Sequence, residues 1–108
     1  MEELQQAAFA IISIVGEAKA SYMKALNLAK AGKAKEAEEE IRKGNKTLAQ
    51  AHHEHFGMIQ REAEGHTLEY SLLFTHAEDQ LLTAEVFRDI AAELLEVYKE
   101  LKKLKGEN

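Results

Sequence analysis

The chain has 108 residues, enough for one domain and too few for a separate regulatory module. Hydrophobic residues make up 45% and charged residues 31%, the balance of a soluble globular protein, and the absence of cysteine excludes disulfides, zinc–thiolate sites, iron–sulfur ligation and thiol catalysis. A formal net charge of −5 disfavours nucleic acid and anionic membrane surfaces, because phosphate binding needs a basic field.

Proline is also absent, so the six glycines must supply most of the punctuation. The apolar run Ala7-Ala8-Phe9-Ala10-Ile11-Ile12 follows Glu2 and Glu3 rather than basic residues. It therefore does not read as a signal segment, and no stretch reaches the roughly 20 apolar residues that span a bilayer. A cytoplasmic protein without membrane insertion is expected. A monomer of this size has a modest core, so self-association would bury more surface.

Ala, Leu, Glu and Lys dominate, and all are strong helix formers. In the first segment Leu4, Ala8, Ile11, Ile12, Val15 and Ala18, then Tyr22, Ala25, Leu26 and Ala29, recur at spacings of three and four. This predicts one helix over about 2–31, ended by Gly32, with Lys30 in its last turn. A second helix is predicted over about 34–64, carried by Ala37, Ile41, Leu48, Ala51, Phe56, Ile59 and Ala63. Lys33 is a poor N-cap for it. Gly44-Asn45 either breaks this helix or is tolerated inside it at a cost of about 1 kcal/mol.

Gly65 closes the second helix, and Thr67 is the expected N-cap of the third, predicted over about 67–104. Uninterrupted from Leu68 to Leu104, such a helix is roughly 55 Å long. Its last turns carry Lys99, Lys102, Lys103 and Lys105, which suit the helix dipole. Residues 106–108 are expected to fray. The fold class is all-α, a single three-helix domain over 1–105.

Nucleophile motifs and phosphate-binding glycine loops are absent, which turns attention to histidines and one aspartate. His52, His53 and His55 cluster in the second helix, but only His52 and His55 share a face, and no carboxylate completes a spacing such as H-E-x-x-H. Partly exposed histidines at a bundle surface explain them better than a metal site. His66 falls in a turn.

Asp79 differs, because it lies on an apolar stripe of the third helix with Leu72, Leu82, Val86 and Ile90. A charge on such a stripe is expensive if buried without a partner. It could fix register or oligomer state, as buried polar residues do in coiled coils. On a rotational axis, copies from several subunits would converge and share a proton or a cation. His76 is three residues before Asp79, and Gln80 is four after His76 on the same face, where its amide could bond an anion carried on the imidazole. Glu78 is two after His76.

The segment Ser71-Leu72-Leu73-Phe74-Thr75-His76-Ala77-Glu78-Asp79-Gln80-Leu81-Leu82-Thr83-Ala84 resembles the active-site segment of the lactose/cellobiose-type IIA proteins of the bacterial phosphoenolpyruvate-dependent sugar phosphotransferase system. That family typically shows an apolar run followed by H-A-Q-D-H-L-M-x-A. Gly16 with Ala18, Ala25-Leu26, Ala29 and Gly32 is similar to the family's first helix and turn. Ala51-His52 and Glu62-Ala63-Glu64-Gly65 are similar to its second helix, and Phe87-Arg88-Asp89-Ile90-Ala91 through Lys99 to its C-terminal half. Four positions depart from the pattern: Glu78 for Gln, Gln80 for His, Lys33 for Asp and His55 for Gln.

The resemblance implies three long antiparallel helices per subunit and a trimeric nine-helix bundle. It implies that His76 takes a phosphoryl group from phospho-HPr and passes it to a cysteine of the cognate IIB, in uptake of a cellobiose-, lactose- or chitobiose-type disaccharide. Gln80 and Glu78 would neighbour the phosphoryl site. Asp79 from three subunits would hold one divalent ion, usually Mg²⁺. The chain's acidity suggests that the partner supplies some of the positive charge. The competing reading from the residues is a non-catalytic helical interaction module of tetratricopeptide or microtubule-interacting type, supported by the A-x-x-A spacing at Ala34–Ala37 and predicting a monomer.

Overall fold

A computed structural model describes residues 2–106. Three helices account for most of them: α1 Glu2–Lys30, α2 Ala34–Ala63 and α3 Leu72–Leu104. The three-helix expectation therefore holds, with one displaced boundary. The rod measures 59 × 19 × 18 Å. A 30-residue helix is about 45 Å long, so the helices lie along the rod and must pack side by side.

Residue pairs fix their directions. Glu3 pairs with Arg61, Tyr22 with Asn45 and Lys24 with Glu40, so numbers fall along α2 as they rise along α1. His55 pairs with Glu78, His52 with Glu85 and Glu38 with Lys99, which makes α2 and α3 antiparallel as well. Lys19 meets Gln80 and Gly32 meets Lys102, so α1 and α3 run parallel. Up-down-up order follows from the short turn between α1 and α2 and the longer loop between α2 and α3.

The core is built from small residues with a few large ones between them. Ala8, Ala18, Ala51, Ala77, Ala84 and Ala91 are fully enclosed, and Tyr22, Ile11, Leu48 and Val15 are the largest side chains at the centre. Small residues let the helix axes approach, and the large ones fill the remaining gaps.

α1 ends as its sequence predicts. Gly32 adopts φ +80°, and the Lys33 N–H bonds back to the Leu28 carbonyl. That bond spans five residues, the wider of the two that close a Schellman turn. Lys33 sits at the N-cap of α2 with no side-chain bond to the helix, in line with its poor capping chemistry.

The Gly44-Asn45 question resolves in favour of one continuous helix. Gly44 is buried, and a Cβ there would lie 2.7 Å from Cε1 of Tyr22. The missing side chain makes room for the Tyr22 ring. Asn45 then receives the Tyr22 hydroxyl, whose O–H donates to its Oδ1 at 2.7 Å. The dipeptide that looks like a breaker is a tyrosine socket.

The start of α3 corrects the sequence reading. Thr67 is not its N-cap, and residues 67–71 are irregular. Ser71 is extended at φ −139° and ψ 120°, and its Oγ accepts the Phe74 N–H at 3.1 Å. Thr67 and Ser71 both have capping side chains, so sequence alone did not separate them. Packing does: Leu68 lies against Leu4, Ala7 and Met58 and closes the end of the bundle. That plug needs an extended chain where the longer helix was predicted. Gly65, at φ +98°, ends α2, and His66 lies in the turn that follows. At the far end Gly106 takes φ +75° and its N–H donates to the Lys103 carbonyl. Met1, Glu107 and Asn108 lie outside the described residues.

Candidate functional site

Packing of α3 decides what its histidine can do. Ala77, Leu81 and Ala84 are buried and set the inward face, with Leu73 and Phe74 packed beside them. Successive residues are rotated by about 100°, so His76 must fall outside that face. It is exposed, the fifth residue of a 33-residue helix and close to its capped start. The Ser71 cap is reinforced by Thr75, whose Oγ1–H donates to the Ser71 carbonyl at 3.0 Å. An accessible imidazole is thus carried on a rigid element.

Its two polar neighbours go to opposite sides of α3. Gln80, one turn along on the His76 face, turns toward α1, where Lys19 Nζ donates to its Oε1 at 3.1 Å. Glu78, about 200° around the helix from His76, turns toward α2. Its Oε2 is 2.8 Å from His55 Nε2, and the His55 ring stacks on Phe74 at 5.9 Å between centroids. Glu78 also borders a 290 Å³ depression lined by Ile59, Tyr70, Phe74 and Thr75 among others.

Lys19 is a site residue that sequence reasoning missed. It follows Ala18 in a stretch read only for its apolar stripe. The available signal was its position at the margin of that stripe, between the buried Ala18 and Tyr22.

The histidines of α2 turn to separate places. His52 Nε2 pairs with Glu85 Oε1 at 3.0 Å, His55 pairs with Glu78, and His53 is exposed. Among the described residues no group of three or more His, Asp or Glu side chains converges on a cation position.

Asp79 lies on the outer face of α3, exposed, with its backbone carbonyl taking the Thr83 hydroxyl. The apolar stripe around it is real, and within one subunit it faces outward. Leu72, Leu82, Val86, Ile90, Val97 and Leu101 are all 44% or more exposed. One carboxylate cannot hold Mg²⁺ firmly, because that ion takes oxygen ligands in octahedral array.

The family model for the lactose/cellobiose-specific IIA subunit of the phosphotransferase system matches residues 6–99. The chain belongs to that family. It is 38% identical over 105 residues to the lichenan-specific phosphotransferase enzyme IIA component of Bacillus subtilis (strain 168), covering 97% of this chain and 96% of that one. It is 35% identical over 98 residues to the lactose-specific EIIA component of Staphylococcus aureus (strain N315), covering 91% and 95%. The structure of the cellobiose-specific enzyme IIA from Bacillus anthracis superposes with a TM-score of 0.89 at 38% identity, over 93% of this chain and 92% of that one. PtcA from S. mutans gives 0.88 at 33% identity, over 92% and 97%. The IIA chain is thus a phosphotransferase-system component of the lactose/cellobiose type with the helical fold of its relatives. No helix among its described residues is long and apolar enough to cross a membrane.

Proposed function

We propose that the IIA chain is a cytoplasmic phosphocarrier that accepts a phosphoryl group on His76 from phospho-HPr and delivers it to a cysteine of the cognate IIB protein or domain. The cargo of the pathway is a disaccharide of the cellobiose, lactose or chitobiose type. The observation that carries this reading is the exposure of His76 on a rigid, capped helix, with Gln80 on the same face. Phosphoryl transfer requires mainly positioning and charge stabilisation, and an accessible imidazole on a helix serves the first. Imidazole is a competent nucleophile near neutral pH because much of it is unprotonated there.

In the transfer a ring nitrogen of His76 donates its lone pair to phosphorus. The N–P bond of the donor histidine breaks, and its electron pair returns to the donor ring. The His76 ring releases the N–H proton of its other nitrogen and the donor ring takes one up. Gln80 can donate N–H bonds to the phosphoryl oxygens. In the onward step the thiolate sulfur bonds to phosphorus, the N–P bond of His76 breaks with its electron pair returning to the ring, and the ring takes up a proton from solvent.

The proposal includes a homotrimer. Its support is the outward apolar line of α3, Leu82, Val86, Ile90, Val97 and Leu101, which would be covered in a nine-helix bundle. Asp79 sits in that line, so three copies would meet and could bind Mg²⁺. The ion, when bound, would neutralise clustered carboxylates.

Incubation with phosphoenolpyruvate, enzyme I and HPr tests the reading. It should place one acid-labile phosphate on each chain and none on His76→Ala. Label that survives His76→Ala, or no label on the native chain, overturns it. Sedimentation should give a trimer, whereas a monomer without phosphate is what a helical interaction module would show.

A further inference from the structure

The polar contact between α1 and α3 has a direction imposed by chemistry. A lysine ammonium has three donors and no acceptor. Gln80 must therefore present Oε1, not its NH₂ group, to Lys19 Nζ at 3.1 Å. Oxygen and nitrogen occupy opposite corners of the carboxamide, so fixing one aims the other. The Gln80 NH₂ group is not engaged by Lys19, which leaves it for a partner on the outer side of α3.

His76 occupies that outer side. Side chains on a helix lean toward its N-terminus, so a residue covers the turn that precedes its own Cα. Gln80 therefore covers the turn that holds His76. Gln80 and His76 are four residues apart, the spacing at which helical side chains meet. Lys19 itself is held in place by its flanks. Ala18 and Tyr22 are both 0% exposed, so α1 cannot roll relative to α3 without opening the core.

From these relationships we propose that Lys19 is a positioning residue for phosphoryl transfer: it locks the Gln80 carboxamide so that its N–H groups, rather than its oxygen, face the phosphoryl group on His76. An unanchored glutamine can flip, and its carbonyl oxygen then repels an anion. The Lys19 ammonium also polarises the amide and places a positive charge behind it, in a chain whose overall charge is −5. This chain thus contributes favourable charge from within, beyond what a partner brings. The inference rests on the proposed phosphorylation of His76.

Three variants test it in the reconstituted system of phosphoenolpyruvate, enzyme I and HPr. Gln80→Glu keeps the acceptor for Lys19 and strengthens that pair, but removes the N–H donors and adds a negative charge. It should fold normally and lose roughly 10- to 100-fold in kcat, the usual consequence of losing a bond to a charged group. Lys19→Met should lower kcat about tenfold with little change in KM for phospho-HPr. It should also speed hydrolysis of the isolated phosphohistidine. Lys19→Arg, again a pure donor, should recover most of the loss.

Native-like kcat in Gln80→Glu or in Lys19→Met overturns the proposal. A Lys19→Met effect confined to KM also overturns it, since that marks a docking residue. Failure of the native chain to take label would instead overturn the phosphocarrier reading itself. The two failures are therefore distinguishable.

Discussion

His55 Nε2 lies 2.8 Å from Glu78 Oε2, across the seam between α2 and α3. A carboxylate only accepts, so Nε2 carries the proton in this pair. Glu78 and His55, both read in the sequence as departures from the family pattern it resembles, are brought into contact by the fold. Phe74 stacks against the imidazole and fixes its plane.

Removing one partner should cost more than exchanging both. His55→Ala loses the bond and the stack, and should destabilise the fold by about 1 kcal/mol. The double variant His55→Gln, Glu78→Gln should lie close to the native chain. A denaturant-midpoint cycle over these variants measures the coupling, expected at roughly 0.5 kcal/mol for a partly exposed pair.

Gly44→Ala should be destabilising although alanine is the better helix former. The gain in propensity is about 1 kcal/mol. Against it stands a Cβ placed 2.7 Å from Tyr22 Cε1, on a ring that is fully buried and cannot swing aside. Overpacking of that kind costs about 2 kcal/mol, for a net loss of about 1 kcal/mol. In a Tyr22→Leu background the same substitution should become stabilising. Urea midpoints of the four proteins decide the sign.

Ser71→Ala should cost about 1 kcal/mol, because the Phe74 N–H loses its acceptor at the start of α3. Thr67→Ala should cost only a few tenths of a kcal/mol, as an exposed loop substitution without a capping role. Thermal unfolding of the two variants, side by side, locates the true start of the helix.

Burial raises the pKa of the Tyr22 hydroxyl above 10.0, against a smaller opposing pull from Arg88, with Asp89 adding to the rise. Below pH 10 the phenol is neutral in both states, and its contribution to stability is intact. Above that, the unfolded chain sheds the proton first, so stability falls as pH climbs through the raised folded pKa. The alkaline loss should be shallower in Tyr22→Phe than in the native chain. Stability measured from pH 8 to 11 for both proteins gives the difference curve.

Asp79→Leu should keep or strengthen the proposed trimer, because an apolar contact would replace clustered charge on the α3 face. Sedimentation in the presence of a chelator should show the native trimer weakened and the leucine variant unaffected. Marked dissociation of Asp79→Leu would mean that the carboxylates and their ion are needed for assembly.

Much of the architecture was legible in the residues. The stripe from Leu4 to Ala29 and the glycine at 32 fix α1 to within a residue, because helical periodicity and a left-handed terminator are local properties. The outward line through Asp79, Leu82, Val86 and Ile90 was readable for the same reason. Its direction was not, since periodicity says which residues share a face and not what covers it. The sequence alone determined an all-α chain without thiol chemistry, its family, and His76 as the residue to examine. Tertiary structure decided that Gly44 seats Tyr22, that Leu68 plugs the bundle and moves the start of α3 to Ser71, and that Lys19 faces Gln80 while His55 faces Glu78. Each of these joins residues between 10 and 64 positions apart or depends on such a contact. Their energies arise only once the helices are packed, so no local pattern in the chain could encode them visibly.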